Sequence, residues 1–276
     1  MPAAPASGLV RLEYRDVTMR FADRGGREAL TAVRGVSFCI RDGEVVCLIG
    51  PSGCGKSTLL NIGSGLTAPS EGAAFVDGER VEGPNAQVAF MLQKDLLLPW
   101  RTVAENVMFG VEIQRLPLAE RKRRARQLLE KFNLAEFSGH YPHQLSGGMR
   151  QRVALARTLA VDPHVLLLDE PFSAVDAQTR IVLQRDLART LSEAQKTALL
   201  ITHDLLEAVT LSDRVLVMSR RPGAIVDEIT IDMTERDDPI ARRTNPKVND
   251  YVARLMDRLD IAHASLEREP AGAPHE

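Results

Sequence analysis

The stretch LIGPSGCGKSTLLN, residues 48–61, decides the fold class of this 276-residue chain. It includes the end of the apolar run EVVCLIG, residues 44–50, whose unbroken hydrophobicity predicts a buried strand. The residues that follow, STLLNIGSGL at 57–66, predict a helix. Between them, GPSGCGKS at residues 50–57 matches the pattern G-x-x-x-x-G-K-[S/T] in full. A loop of this kind between a strand and a helix predicts a binding site for the phosphates of a nucleotide.

Each residue type in this loop has a chemical use. Gly50, Gly53 and Gly55 let the backbone turn tightly and direct its N–H groups at an anion, and the helix adds its positive N-terminal end. Lys56 is predicted to reach the β- and γ-phosphates, and Ser57 to ligate Mg²⁺. The loop alone indicates an NTPase or a nucleotide kinase. The residues predicted here to contact the nucleotide are Gly50, Pro51, Ser52, Gly53, Cys54, Gly55, Lys56, Ser57 and Thr58.

A second motif, VLLLDE at residues 165–170, predicts a strand that ends in two acids. Asp169, at the carboxyl end of that strand, is predicted to hold the Mg²⁺ shell. Glu170 lies one residue further on, where a base could polarise a water that attacks the γ-phosphate. An acidic turn after a strand is common in α/β proteins, so this pair indicates catalysis only because the phosphate loop accompanies it.

Composition excludes several classes of protein. A formal net charge of −2 gives no strong field for nucleic acid or anionic lipid, so no nucleic-acid partner is expected. Cys39, Cys47 and Cys54 form neither a CxxC motif nor an even disulfide set, which favours reduced, buried thiols in a cytosolic protein. Cys54 is also expected to place a thiol beside the phosphates. The N-terminus lacks the features of a signal peptide, and no apolar run approaches the roughly 18 residues that span a bilayer.

The order of the predicted elements indicates a parallel sheet covered by helices on both faces, because strands and helices alternate along the chain. A strand with a bulge or a bend is predicted at residues 10–21, and a hairpin that turns at Asp77 and Gly78 is predicted at residues 72–81. DRGGRE at 23–28 predicts a turn. The middle of the chain, at about residues 95–160, is predicted to be a helical insertion.

LSGGMRQR, residues 145–152, lies between the phosphate loop and the acidic pair. Taken with those motifs, it makes the chain resemble the ATPase subunit of an ATP-binding cassette (ABC) transporter, from about residue 9 to 221. The resemblance implies an α/β fold of the P-loop NTPase type: a RecA-like parallel-sheet core, an antiparallel β subdomain and an inserted helical subdomain. It also implies ATP hydrolysis, with ATP and Mg²⁺ bound.

The resemblance assigns roles to residues outside the phosphate loop. Phe21 corresponds to an aromatic that stacks on adenine, although an aromatic at a strand end is often part of a core or its rim. Gln93 corresponds to a glutamine that senses Mg²⁺ and the γ-phosphate and links to the membrane subunits. His203 corresponds to a histidine that clamps the γ-phosphate, and Asp176 to an aspartate that crosses a dimer interface.

Ser146, Gly147 and Gly148 precede a predicted helix, and a glycine pair at a helix N-terminus can bind an anion without a lysine. The resemblance implies that they close on ATP held by a second copy, in a head-to-tail dimer with two ATPs. The predicted catalytic residues are Glu170, His203 and Gln93, and the predicted metal-binding residues are Ser57, Gln93 and Asp169. The residues predicted to bind the nucleotide are Phe21, residues 50–58, Ser146, Gly147, Gly148 and Asp176.

Three regions of different character are expected along the chain. Residues 1–8 are predicted to be disordered, residues 9–222 to form the ABC ATPase domain, and residues 223–276 to form a C-terminal extension with a strand, an amphipathic helix and a disordered end. The helix, at 245–259, is expected to pack on its own domain rather than on a membrane.

Three functions fit an ABC ATPase: energising an importer, extrusion or mechanical work at a membrane, and soluble work on nucleic acid or ribosomes. LLPWRTVAENV at 97–107 and SRRPGAIVDEITID at 219–232 resemble segments of the bacterial nitrate, sulfonate and taurine importers. That group implies separate transmembrane permease subunits, docked at residues 96–107, and indirectly a periplasmic or extracellular solute-binding protein. It implies a peripheral location on the cytoplasmic face of the bacterial inner membrane.

Overall fold

The computed structural model describes residues 8–22, 30–173 and 175–264. The predicted turn at 23–28 and the predicted disordered ends lie outside these residues, apart from Gly8. The strands are β1 (Val10–Phe21), β2 (Leu30–Arg41), β3 (Val45–Ile49), β4 (Glu71–Val76), β5 (Glu79–Arg80), β6 (Val88–Met91), β7 (Val165–Asp169), β8 (Thr197–Ile201), β9 (Arg214–Met218) and β10 (Ile225–Thr230). The helices are α1 (Lys56–Gly63), α2 (Val103–Ile113), α3 (Leu118–Lys131), α4 (Gly147–Ala160), α5 (Ala177–Glu193), α6 (Leu205–Leu211), α7 (Pro239–Arg243) and α8 (Lys247–Ala264).

The central sheet has six strands in the order β10-β9-β3-β8-β7-β6. Strands β6, β7, β8, β3 and β9 pair in parallel, and β10 pairs with β9 antiparallel. Every residue of β3, β8 and β9 is buried, as their continuous apolar sequences predict. The predicted parallel sheet is therefore confirmed. The short strand β6 was not predicted, because four residues give too little pattern to identify a strand.

Both faces of this sheet are covered. Alternate residues of β3 point to opposite sides: Cys47 and Ile49 belong to one hydrophobic cluster, and Val46 and Leu48 belong to the other. The first cluster includes residues of helices α2 to α5, and the second includes residues of α1 and of the antiparallel sheet. Cys47 and Cys54 are buried free thiols, as predicted, whereas Cys39 is only partly buried.

A second sheet, in the order β2-β1-β4-β5, is antiparallel where its strands pair. Several register shifts interrupt the pairing of β1 with β2, which confirms the predicted bulge. The hairpin of β4 and β5 turns at Asp77 and Gly78, with φ angles of 51° and 82° as a tight hairpin turn requires. Strand β2 was not predicted, since Gly35 and a change of phase break its alternation.

The predicted helical insertion is confirmed as α2, α3 and α4, with α2 and α3 both packed on α4. The start of α2 is fixed by a capping box, in which Thr102 accepts from the Glu105 N–H and the Glu105 carboxylate accepts from the Thr102 N–H. On α3, Leu129 is buried, and Phe132 is buried just beyond its end, while most of the basic residues face solvent.

Residues 223–264 pack on the same hydrophobic core as the residues before them. Strand β10 is the sixth strand of the central sheet, and Val248 and Leu255 of α8 are buried in its hydrophobic cluster. The expectation that this helix packs on its own domain is confirmed. Arg242 of α7 is 2 % exposed and donates to backbone carbonyls of Met233, Thr234 and the C-terminal end of α6. Because these bonds satisfy the last carbonyls of α6, the C-terminal segment fixes the position of that helix.

Candidate functional site

The phosphate loop connects β3 to α1 through glycines in left-handed conformations. Gly53 has φ 76°, and Gly55, the N-cap of α1, has φ 106°. A Cβ on Gly55 would also lie 2.4 Å from Val33 Cγ1, so neither backbone angle nor space permits a side chain there. These two glycines let the chain turn from strand to helix within one loop and leave backbone N–H groups at the helix N-terminus for an anion.

Lys56 lies across this loop. Its side chain is 9 % exposed, and its Nζ donates to Gly50 O at 2.7 Å and to Pro51 O at 3.0 Å. Both partners are neutral carbonyls, which bind an ammonium less strongly than phosphate oxygens do. The loop therefore holds a buried cation, and the oxygens of a triphosphate can replace the two carbonyl groups that bind it.

The Cys54 side chain is buried beside the loop, with its Sγ 3.8 Å from Lys56 Nζ. It is 1 % exposed and belongs to the hydrophobic cluster that also contains Leu59 and Met218. Burial raises the pKa of the Cys54 thiol above its ordinary value, although the nearby Lys56 opposes this effect. The expectation that this thiol lies beside the phosphates stays a prediction: the side chain is packed in the core, next to the lysine that is predicted to reach them.

Two of the predicted metal ligands lie near each other. Ser57 stands at the start of α1 and Asp169 at the end of β7. Burial raises the pKa of the Asp169 carboxyl and the neighbouring Glu170 charge adds to this effect, whereas the Ser57 hydroxyl lies close enough to lower that pKa. Among the residues that the structure describes, no group of three or more His, Cys, Asp or Glu could hold a metal. One hydroxyl and one carboxylate still fit Mg²⁺, which takes few protein ligands and completes its shell with phosphate oxygens and water.

The three predicted catalytic side chains meet at one atom. Gln93 Nε2 donates to Glu170 Oε2 at 3.1 Å, and His203 Nδ1 lies 3.3 Å from the same oxygen. They follow β6, β7 and β8, which are neighbours in the sheet, at the carboxyl ends where α/β proteins bind their ligands. Glu170 has φ 44°, a left-handed conformation that few non-glycine residues adopt, and such backbone is frequent at functional sites.

The glycine pair and Asp176 form a separate group at the N-termini of α4 and α5. Ser146 caps α4 by accepting from the Met149 N–H, and Asp176 caps α5 by accepting from the N–H groups of Gln178 and Thr179. Those N–H bonds lower the pKa of Asp176.

The two helix ends of this group touch each other. A Cβ on Gly148 would lie 2.3 Å from Thr179 Cγ2, so only glycine permits this approach of α4 to α5. The side chain of Gln151 donates to the carbonyl of Pro171, which ties α4 to the segment that follows Glu170. The glycine pair is therefore linked to the loop that carries Glu170.

Phe21 ends β1 and is 44 % exposed, opposite Leu30 of β2. This exposure excludes the core alternative for Phe21 and leaves a ring that a flat ligand could cover. The role in adenine stacking stays a prediction.

Sequence reasoning missed a buried acid beneath the His203 loop. Glu207 of α6 is 4 % exposed; its Oε2 accepts from Thr202 Oγ1 at 2.9 Å, and its Oε1 has no hydrogen-bond partner. Burial raises the pKa of Glu207 to about 8, with Asp204 adding to the rise and Arg180 opposing it. Thr202 Oγ1 also accepts from the Asp204 N–H, so this carboxyl group supports both residues that flank His203. The available signal was a single acid in the otherwise uncharged helix LLEAVTL.

Replacing Glu207 with glutamine is expected to flatten the pH dependence of stability. The unfolded chain releases this proton near the ordinary value of 4.5, whereas the folded chain keeps it to about pH 8. Between those values the unfolded state binds fewer protons, so the free energy of unfolding falls as pH rises, by about 1.4 kcal/mol per pH unit for this group. Urea unfolding of wild type and variant across this range measures the difference, and curves that stay parallel would contradict the assignment.

The loop GPSGCGKS joins a buried parallel strand to a helix, and the predicted metal-binding and catalytic residues follow strands of the same sheet. This arrangement is that of a P-loop nucleotide hydrolase. The profile of the ABC transporter family matches residues 33–173. The chain belongs to this family, and it is an ABC ATPase.

Three similar proteins show which members of the family this chain resembles. The nitrate import ATP-binding protein NrtD of Synechocystis is 43 % identical over 85 % of this chain and 88 % of its own length. The aliphatic sulfonates import ATP-binding protein SsuB 2 of Burkholderia cenocepacia is 40 % identical over 98 % of this chain and 96 % of its own. A solved dimer of the cassette MJ0796 with ADP and Pi superposes with a TM-score of 0.72 at 31 % identity, over 80 % of this chain and 99 % of that one. NrtD and SsuB 2 confirm the resemblance to the nitrate, sulfonate and taurine importer group.

Proposed function

We propose that this chain is the ATP-hydrolysing subunit that energises a bacterial ABC importer for nitrate, a sulfonate, taurine or a related small solute. The observation that carries the proposal is the meeting of Gln93, Glu170 and His203 at one carboxylate oxygen, beside the phosphate loop of a chain similar to NrtD and SsuB 2. No helix among the described residues is long and apolar enough to cross a membrane. From the similarity to importer ATP-binding proteins, we propose that separate permease subunits carry the solute and that this subunit lies on their cytoplasmic side.

The proposed chemistry begins with ATP in the loop of residues 50–58. Lys56 exchanges its two carbonyl partners for phosphate oxygens, and Ser57 and Asp169 hold Mg²⁺. When bound, Mg²⁺ neutralises charge on the β- and γ-phosphates. Phe21, at the exposed end of β1, covers the adenine ring.

The Glu170 carboxylate accepts a proton from the water that attacks the γ-phosphate. Gln93 fixes the carboxylate by its hydrogen bond, which leaves Oε1 of Glu170 for the water. His203, two-thirds exposed, supplies an N–H donor to the γ-phosphate. Each residue then has one task in a phosphoryl transfer that depends on positioning and charge stabilisation.

A second copy of the chain completes the site. One chain carries both a phosphate loop and a separate capped glycine pair, Ser146 to Gly148, at the N-terminus of the 14-residue helix α4. We place the ATP of one protomer between its own loop and the glycine pair and Asp176 of the other, in a head-to-tail dimer. The dimeric state of the similar cassette MJ0796 supports this arrangement.

The permease is proposed to dock on an exposed apolar surface at residues 96–107. Leu96 is 53 % and Trp100 is 72 % exposed. The loop beneath them is held by Asn106, which is fully buried and exchanges hydrogen bonds with the backbone of Leu98. Arg157 of α4 donates to the Leu96 carbonyl at 2.8 Å. A rigid loop with an exposed tryptophan is a suitable anchor for a partner.

Replacing Trp100 with alanine is expected to lower recovery of the permease about tenfold or more, since an aromatic anchor of this kind typically contributes about 2 kcal/mol to binding. The ATPase rate of the isolated subunit should not change. Leu96→Ala and Leu66→Ala form a matched pair, because Leu66 is 59 % exposed but lies beyond the end of α1. Equal recovery with the two leucine variants would contradict docking at residues 96–107.

The whole proposal is tested by affinity purification from membranes with a tagged Glu170→Gln variant and ATP, followed by mass spectrometry. Recovery of a polytopic permease with a solute-binding protein supports an importer and indicates its solute. A permease without a solute-binding protein favours extrusion. Ribosomes or nucleic acid without a membrane protein would overturn the proposal in favour of a soluble ABC ATPase.

A further inference from the structure

The turn between β9 and β10, residues 219–224, lies directly against the phosphate loop. A Cβ on Gly223 would be 2.0 Å from Cys54 O, and a Cβ on Gly50 would be 2.9 Å from Met218 Cβ. Contacts this short leave no room for a side chain at either glycine, so the turn and the end of β9 pack directly against the backbone of the loop. The turn therefore belongs to the supporting structure of the loop.

The same turn is anchored to strand β2. Gly223 N donates to Ala32 O at 2.9 Å, and Arg34 N donates to Gly223 O at 3.0 Å. These two bonds lie on either side of Val33, which forms an isolated parallel bridge with Gly223. The side chain of Val33 packs on Gly55 of the phosphate loop. The turn is thus held on one side by β2 and on the other by the loop, which makes it a fixed support for the side chains that it carries.

Arg221, in this turn, reaches back to the phosphate loop. Its Nε and Nη2 donate to the carbonyl oxygen of Gly53 at 3.1 and 2.8 Å. The peptide group is planar, so a fixed Gly53 oxygen also fixes the direction of the Cys54 N–H. In this structure Cys54 N donates to Pro51 O at 3.3 Å, a long bond that an anion can replace.

Two cationic side chains engage the loop carbonyls. Lys56 binds the oxygens of Gly50 and Pro51, and Arg221 binds the oxygen of Gly53. A carbonyl oxygen turned toward a triphosphate would repel it, and a guanidinium that holds this oxygen prevents the repulsion and adds positive charge. When Lys56 moves to the phosphates, Arg221 can keep its partner, because it comes from a different part of the chain.

We propose that Arg221 is a positioning residue of the ATP site, which holds the Gly53 carbonyl away from the triphosphate and adds a positive charge beside it. The inference rests on the proposed role of residues 50–58 as the phosphate loop. It gives the turn RRPG, residues 220–223, a task in nucleotide binding.

The test compares Arg221→Gln and Arg221→Lys with wild type by calorimetric titration with MgATP and by steady-state kinetics. The glutamine variant is expected to raise the Kd and KM for ATP about tenfold, the range of one charge-assisted hydrogen bond, while kcat at saturating ATP stays unchanged. The lysine variant should recover part of the affinity, since it restores the charge but not the paired N–H donors. Because Arg221 is exposed, the melting temperature without nucleotide should not change, whereas a purely structural role would lower it.

Two controls separate the possible failures. Arg254→Gln removes an exposed arginine from α8 and should leave the Kd for ATP unchanged. Lys56→Ala tests the loop itself. If Lys56→Ala abolishes binding and Arg221→Gln binds like wild type, the inference about Arg221 is wrong and the proposed site stands. If neither variant changes the Kd, the phosphate-loop assignment is wrong, and the role of Arg221 with it.

Discussion

Replacing Glu170 with glutamine is expected to lower kcat for ATP hydrolysis by about two to three orders of magnitude, the range for loss of a general base. Glutamine keeps the shape of the side chain, and its amide oxygen still accepts the hydrogen bond from Gln93. It cannot accept a proton from the attacking water. The substitution therefore removes the chemical step and leaves the surrounding contacts in place.

Binding of ATP should survive this change, because Glu170 contacts Gln93 and His203 but no residue of the phosphate loop. Since the proposed dimer holds ATP between its two protomers, a variant that binds ATP but does not hydrolyse it should accumulate as an ATP-bound dimer. Phosphate release measures the rate, and size-exclusion chromatography with and without ATP measures the dimer. Glu79→Gln, at an exposed acid of β5, is the matched control. Hydrolysis by Glu170→Gln at the parent rate would remove Glu170 from the role of base.

The sequence was sufficient to predict the residues that belong to contiguous motifs. The residues of the loop GPSGCGKS are adjacent in the sequence, so the spacing of its glycines and its lysine is enough to predict the turn and the phosphate-binding lysine. Gln93, Glu170 and His203 are far apart in sequence, yet each follows a strand of one parallel sheet. The carboxyl ends of such strands share an edge, so Glu170 and His203, which follow predicted strands, could be expected at one edge. Gln93 follows β6, which was not predicted, so its place was predicted from the resemblance alone.

What the sequence could not predict depends on packing between distant segments. Arg221 binds a carbonyl 168 positions away, and nothing near residue 221 indicates that partner. The Cys54 side chain is buried in the hydrophobic cluster that contains Met218, a residue outside the loop motif. The same limit applies to Glu207, whose environment arises only when α6 packs on the sheet. Local patterns identified the chemistry, and long-range packing determined which groups support it.

The support extends to the C-terminal segment. Arg242 of α7 binds the carbonyls of Val209, Thr210 and Ser212 at the end of α6. Asp204 caps the start of the same helix, one residue after His203. The helix that follows His203 is thus fixed at both ends, at one of them by residues beyond the predicted ATPase boundary at 222. That boundary stays a prediction, although β10 and α8 pack on the same core.

Replacing Lys56 with alanine is expected to weaken MgATP binding by about two orders of magnitude or more, since it removes the one buried cation that the loop holds for the phosphates. The lysine is 9 % exposed and its Nζ contacts only loop atoms, namely two carbonyls and, at 3.8 Å, Cys54 Sγ. Its loss should therefore affect nucleotide binding far more than folding. Alanine also suits the first position of helix α1, where Lys56 stands.

Thermal unfolding with increasing MgATP measures this effect, because a ligand stabilises the folded state by RT ln(1 + [L]/Kd), about 2.7 kcal/mol at a hundredfold excess over Kd. Wild type should gain melting temperature with each addition of ATP. The variant should start near the same melting temperature and gain almost none. Lys122→Ala, at an exposed lysine of α3, should behave like wild type. An unchanged ATP response in Lys56→Ala would move the nucleotide site away from residues 50–58, and the assignments of Ser57, Asp169 and Arg221 would have to be withdrawn with it.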